Sequence, residues 1–465
     1  MTLPVQSLRR NWSQRNPARV ADVGSSGRTC DFAHKWSGSL YLLPLLDTLV
    51  PPDFRGAMNA TLRRYFLCTF LSCIGNGLTL SLFVVYLHNV RGFSTGFATL
   101  LLALSAGIGL AASPLWGTCT DHFGPFRVML FASFTFAGGL VMWAYARTER
   151  EALTAALMIA VFSGAGWGPG MTMLSRLVAE AHRQRAFGIN FMLVNLGIGF
   201  GGLASAAMVD LHHPFSFTLL YLIDAGVAVV VGLLFITLRA HGGPVREHHD
   251  DPVKRAEGWR HVLADRRLVR IVLASLVLMI GGYGSQEAGF SLFVVNNLKL
   301  SVHVIGVIFF FNTTTIVVAQ LWILNRIEGR SRTRVMALTG LSWFVFWMIL
   351  DATLALPAYL TVISLCVAMV IFALGETMLQ PCGSAIVNEI APEHLRGRYN
   401  AALGLTWGLA GTAGPAITAL FFSNNLGNWW PFATAMIALG GSALMLNLRR
   451  SLSASEDGRR ETVEA

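Results

Sequence analysis

The chain has 465 residues, of which 54% are hydrophobic and only 13% charged, with a mean hydropathy of +0.56. About a quarter of the residues are charged in an ordinary soluble domain, so this composition excludes that class and points to a membrane protein. The net charge of +10 would suit nucleic acid binding, but the distribution of that charge assigns it to membrane topology instead.

Residues 1–57 differ from the rest. "SLRRNWSQRNPARVADVGSSGR" is rich in Arg and Ser, and "LYLLPLLDTLV" is too short to cross a bilayer and is broken by Pro44 and Asp47. The segment is expected to be a disordered cytoplasmic extension. Met58 is an alternative start, because "MNATLRRYF" runs directly into the first apolar stretch.

Twelve apolar stretches follow: 65–89, 95–118, 127–147, 151–176, 186–209, 216–239, 270–296, 302–325, 334–352, 357–386, 399–423 and 428–448. Each approaches or exceeds the roughly 20 residues a helix needs to cross a ~30 Å core. They are too long for barrel strands of about 10 residues. Helices satisfy their own backbone in lipid. The expected fold is an all-α integral membrane protein of twelve transmembrane helices. It divides into a half at 58–239, a charged linker at 240–269, a second half at 270–448 and a tail at 449–465.

None of the 35 Lys and Arg falls in the middle of a stretch. Nine precede the first. Arg91, Arg147, Arg150 and Lys299 are the only ones in one set of alternate loops; the remaining 22 lie in the other set and the tail. This alternation puts both termini in the cytoplasm of a cell inner or plasma membrane. The basic residues then meet anionic lipid, with no nucleic acid partner expected.

The six Cys (30, 68, 73, 119, 366, 382) show no metal spacing and mostly sit in or near spans, where Cys acts as a small apolar residue. "EHHDD" at 247–251 reads as a solvated run in the linker. No metal and no cofactor is expected.

"GTCTDHFGPFRVM" at 117–129 interrupts two very apolar runs. Asp121 lies just past the end of span two, where its own helix dipole disfavours it. It therefore predicts a partner elsewhere: a neighbouring helix N-terminus, or an Arg such as Arg176. Gly117 would allow close helix approach, Gly124 permits a tight turn, and Arg127 can anchor to headgroups. The reading is a latch between states; the plainer alternative is an ordinary loop with an incidental acid.

The halves repeat. "AEAHRQRAFGINFMLVNLGIGFGG" (179–202) matches "APEHLRGRYNAALGLTWGLAGTAGP" (391–415), with Arg185 on Arg396 and Gly197 on Gly408. "DHFGPFRVM" (121–129) matches "EGRSRTRVM" (328–336), with Asp121 on Glu328 and Arg127 on Arg334. Parallel six-helix repeats place a binding site between halves near the midplane. Span four ("GAGWGPG", 164–170) and span ten ("GETMLQP", 375–381) carry Gly and Pro at matching depths, which predicts paired helix breaks.

With these features, residues 60–450 resemble a major facilitator superfamily transporter. The resemblance rests on Gly117-x-x-x-Asp121-His-x-Gly124-x-x-Arg127, on the span-eleven ladder Gly404, Gly408, Gly411, Gly414, Pro415, and on Pro392-Glu-x-x-Arg396-Gly397. His122, Pro125 and Phe126 depart from the basic residues usual in the family, so a thinner ion-pair network is expected. The resemblance implies that Asp121 faces the start of span eleven near Arg398, Tyr399 and Asn400. The nearest subgroup is similar to bacterial drug/proton antiporters. The Gly ladder reads first as packing, with bending at Gly414-Pro415 as an added hypothesis.

Acids at membrane depth are functional candidates by default. Asp224 in span six reads as structural. Glu376 in span ten and Glu287 in span seven are the preferred proton or substrate groups, with Gln286, Asn76, Asn195, Asn312, Gln320 and Gln380 as polar neighbours. Trp167 and Trp407 offer apolar faces. The spans hold acids but no Lys or Arg, which suits neutral or cationic cargo, and no nucleotide-binding loop is present. The leading reading is a monomeric secondary transporter driven by a proton gradient, exporting neutral or cationic lipophilic small molecules. A proton symporter importing a neutral solute and a transporter-like sensor remain alternatives. No nucleophile, base or metal set converges, so no enzyme is expected.

Overall fold

The computed structural model describes residues 54, 56–79, 86–209, 213–244, 258–300 and 302–459. The expected disorder before Phe54 and the 247–251 run lie outside the described residues. The described residues form helices and no strand.

The first half contains α1 (Ala60–Thr79), α2 (Thr95–Phe123), α3 (Pro125–Tyr145), α4 (Glu149–Ser163), α5 (Trp167–Leu177), α6 (Arg183–Met208) and α7 (Phe215–Ile236). The short α8 (Trp259–Ala264) ends the linker. The second half contains α9 (Arg266–Met279), α10 (Ser291–Asn296), α11 (Val302–Ile327), α12 (Arg332–Ala352), α13 (Ala358–Ile390), α14 (Arg396–Ser423) and α15 (Trp430–Leu448). Helices α4 and α5 together make span four; α9 and α10 are the ends of span seven. Ten spans among the described residues are long and apolar enough to cross a membrane. Helices α1 and α2 complete the twelve.

Local chemistry sets the boundaries. Ser94 caps α2 by accepting from the Phe97 amide at 3.1 Å, and Thr148 and Glu151 form a reciprocal capping box at the start of α4. Gly164-Ala165-Gly166 separates α4 from α5, so span four is broken as its glycines suggested. Span seven loosens into two successive π-turns, Ile280–Gly284 and Gln286–Phe290. There Gly282 leaves helical geometry at φ −111°, ψ −105°.

Span ten departs from expectation. Helix α13 runs unbroken for 33 residues with Pro381 inside it. A proline removes the N–H that would bond the carbonyl four residues earlier, here that of Thr377. Gln320 of span eight supplies the missing donor, with its Nε2 3.1 Å from the Thr377 oxygen. The proline break is therefore repaired by a neighbouring helix.

The two halves meet at the face that carries the basic loops, called the basic face below. On that face the chain after each half's last span folds back. After span six, the Gly242 carbonyl accepts from the Phe126 amide at 3.1 Å, and the Gly243 carbonyl accepts from Arg176 Nη1 at 2.6 Å. After span twelve, the fully buried Asp457 accepts from the Thr333 amide at 2.9 Å and from the Ser331 hydroxyl at 2.6 Å. Phe54, just ahead of Met58, is also fully buried, edge-on to His182 and under the Arg185 guanidinium. Packed chain thus begins ahead of the 57/58 boundary.

Candidate functional site: two basic-face junctions and a central acid

The first junction is built on Asp121, which is 1% exposed. Its Oδ1 accepts from the Gly397 amide at 2.6 Å and its Oδ2 from the Arg398 amide at 3.2 Å. These are orphan donors in the first turn of span eleven, where a carboxylate also meets the favourable end of the helix dipole. Arg398 Nη1 adds an ion pair at 3.4 Å. Close approach is required: a Cβ on Gly117 would lie 2.7 Å from Ala401 Cβ. Gly124 adopts φ +84°, and a Cβ there would lie 2.4 Å from the Gly242 oxygen. Arg127 is exposed. Arg176, a candidate partner for Asp121, donates to the Gly243 carbonyl and also lies near enough to Asp121 to act on its charge.

The second junction is the repeat of the first. Glu328, aligned with Asp121, pairs with Arg185 of span five. Beside it, Arg332 Nε donates to Gln184 Oε1 at 3.2 Å, and Arg183 pairs with Glu389 at 3.5 Å. Leu324, aligned with Gly117, packs on Gly188, where a Cβ would lie 2.4 Å from its side chain. The crossing is conserved between the halves, while the small residue has changed partners. A buried polar tie lies between the junctions: Asn400 Nδ2 donates to Thr172 Oγ1 at 3.2 Å.

The third feature is central. Glu376 is 4% exposed, and its Oε2 accepts from Asn312 Nδ2 at 2.6 Å. The Tyr283 hydroxyl is a second polar neighbour. Tyr283 packs on Trp407 with ring centroids 4.6 Å apart, and Trp407 meets Trp167 of the other half edge-on at 6.2 Å. An aromatic bridge therefore runs from Glu376 across to span four.

Other expected residues are placed differently. Gln286 is buried and Glu287 is exposed. Asn195 donates to the Phe191 carbonyl of its own helix at 3.0 Å and does not join Glu376. Gln320 serves Thr377, as described. On the ladder, Gly404 faces Trp167 and Gly408 faces Leu110, whereas Gly414 touches the Gly284 backbone and Gly411 faces open space. Pro415 lies within a continuous helix. Asp224 is 2% exposed and borders a cavity of about 540 Å³ inside the first half, walled by spans one, three, four, five and six. This cavity lies within one half, not between halves at the midplane. Tyr283, Thr79, Asn190 and Asp457 carry no signal in the sequence, because their neighbours Glu376, Asp224, Thr69 and Ser331 are remote along the chain.

Two parallel six-helix repeats joined at one face and enclosing buried acids define a polytopic transporter architecture. The chain belongs to the Major Facilitator Superfamily, whose family model matches residues 65–294 and 288–464. A Na(+), Li(+), K(+)/H(+) antiporter of Planococcus maritimus is 24% identical over 384 residues, covering 76% of this chain and 86% of that protein. An uncharacterized MFS-type transporter of Bacillus subtilis (strain 168) is 21% identical over 347 residues, covering 73% and 80%. Among solved structures, a bacterial homologue of the iron transporter ferroportin in an outward-facing state superposes with a TM-score of 0.70 at 13% identity, covering 84% of this chain and 100% of that one. The human organic anion transporter MFSD10 (TETRAN) gives 0.61 at 17% identity, covering 87% and 100%.

Proposed function

We propose that the protein is a proton-coupled secondary transporter that exports neutral or cationic lipophilic small molecules by alternating access. Its basic face is then cytoplasmic, and the proton gradient is its energy source. The observation that carries this reading is Glu376: a carboxyl buried in a span, held by Asn312 and bordered by Tyr283. A charged carboxylate at that depth is costly, so it is stable there either protonated or facing a cation. A group that is exposed alternately to the two sides, and that exchanges a proton for a cation, couples the two flows. The antiport activity of the Planococcus relative supports the exchange mode. The Asp121 and Glu328 junctions act as latches that hold the basic face shut in one state and release in the other.

The test is reconstitution in liposomes with an imposed pH gradient. Glu376→Gln should abolish gradient-driven accumulation while sparing downhill counterflow. Glu287→Gln, altering an exposed acid, should have the smaller effect. Gradient-driven accumulation by both variants and by the double variant would overturn proton coupling at these acids.

A further inference from the structure

The cavity in the first half has a wall of uncommon composition. Span one presents Tyr65, Thr69, Ser72, Asn76 and Thr79 to it, a polar stripe at three- and four-residue spacing. Spans three and four contribute aromatic faces, among them Phe136, Trp143 and Phe162. Among the described residues, Asp224 is the single charged side chain of the wall, and no Lys, Arg or His lines it. The carboxylate is fixed in place: Thr79 Oγ1 donates to Oδ2 at 3.0 Å. Gly75 stands so close that a Cβ there would lie 2.1 Å from Oδ1.

A carboxyl in such a largely apolar, aromatic-walled site is stable either protonated or facing a cation. Among the described residues the wall holds no cationic side chain, so the charged form is complemented by a cation that enters. Aromatic faces attract cations and supply apolar contact for an organic body. A volume of about 540 Å³ lies in the roughly 300–1,000 Å³ range of small-molecule pockets. An anionic ligand would meet the carboxylate with no compensating base. A hydrated metal ion would leave the aromatic walls unused.

We propose that this cavity is a binding site for a lipophilic organic monocation, with Asp224 as its countercharge, distinct from the Glu376 site in the other half. Trp167 lines the cavity and also meets Trp407, which packs on Tyr283 beside Glu376. The cavity is thus connected through an aromatic bridge to the carboxyl proposed to exchange proton and cation. The cargo role of the site rests on the proton-coupled reading above; the binding itself does not.

The experiment measures equilibrium binding of radiolabelled tetraphenylphosphonium to the purified full-length protein, with no gradient present. Asp224→Asn should raise Kd tenfold or more. Neutral triphenylphosphine oxide should bind parent and Asp224→Asn alike. Ser72→Trp, at an exposed position on the cavity wall, should reproduce the loss by filling the space, and it decides the matter if Asp224→Asn fails to fold. Parent-like affinity in both Asp224→Asn and Ser72→Trp, no binding to the parent, or a loss seen only with Glu376→Gln would each overturn the proposal. Loss of binding in Asp224→Asn together with intact proton-driven transport in Glu376→Gln would sink the coupling reading and leave this site standing.

Discussion

The Asp121 Oδ1 lies 2.6 Å from the backbone nitrogen of Gly397, a residue 276 positions away in the opposite half of the molecule. One carboxylate thereby binds the first turn of span eleven to the end of span two. Asp121→Asn replaces one acceptor oxygen with a donor that faces another donor. Hydrogen bonds to a charged group are worth about 1.5–3 kcal/mol, and 1.4 kcal/mol is tenfold in a two-state population. The expected outcome is a basic face that opens more readily, with transport turnover down severalfold and ligand affinity little changed. Spin-label distances between the basic-face ends of spans two and eleven would check this; a parent-like distance distribution and turnover would demote the junction to a plain loop contact.

The repeat-equivalent crossing offers a size-swap test. Gly188→Ala should impair transport, because its Cβ would press on Leu324. Leu324→Ala in the same chain should recover much of the loss, since contacting residues couple non-additively. Transport of the two single variants and the double variant would be compared; simple addition of the defects would argue against direct contact.

Gln320→Leu should destabilise the protein by about 1–3 kcal/mol, the cost of leaving a buried carbonyl unsatisfied. Adding Pro381→Ala returns a backbone N–H to the Thr377 carbonyl and should restore most of the thermal stability. A double variant no more stable than Gln320→Leu would show that the glutamine acts in some other way.

The tail carries a further expectation. Asp457→Ala leaves the Thr333 amide and the Ser331 hydroxyl without their shared acceptor. Removal of an N-terminal cap costs about 0.5–2 kcal/mol, so a lower melting temperature is expected, with membrane insertion intact. A chain starting at Met58 should likewise insert and transport. Its loss of the Phe54–Arg185 contact should cost about 0.5–1 kcal/mol or somewhat more, since the pair is buried. Thermal unfolding of both variants in detergent checks the pair of effects.

The helices, the duplication and the clustering of basic loops were legible in the sequence because hydropathy and charge are local quantities. Asp121 was legible because a carboxylate past a helix C-terminus predicts a remote partner. Asn195 and Asn312 look alike in sequence, two amides in apolar runs, yet one bonds its own helix and the other holds Glu376. Rotation about the helix axis decides between them, and a single sequence does not encode that rotation strongly. Tyr283 carries no local signal either, since an aromatic in a span reads first as packing. The neighbours of Asp224, Thr79 at 145 residues' distance and the adjoining cavity, appear only in three dimensions.

The backbone N–H groups of Phe126 and Thr333 occupy equivalent positions in the aligned repeats, at the second residue of α3 and of α12. Each is satisfied by the chain that leaves its own half: Phe126 by Gly242, Thr333 by Asp457. The duplicated module is therefore six helices plus a returning strap, and linker and tail are two forms of one part. Each half carries its own closure, so continuity through residues 245–257 is not required for either strap to dock. Two separately translated pieces, ending at 244 and beginning at 258, should accordingly assemble into a working protein when made together in one cell.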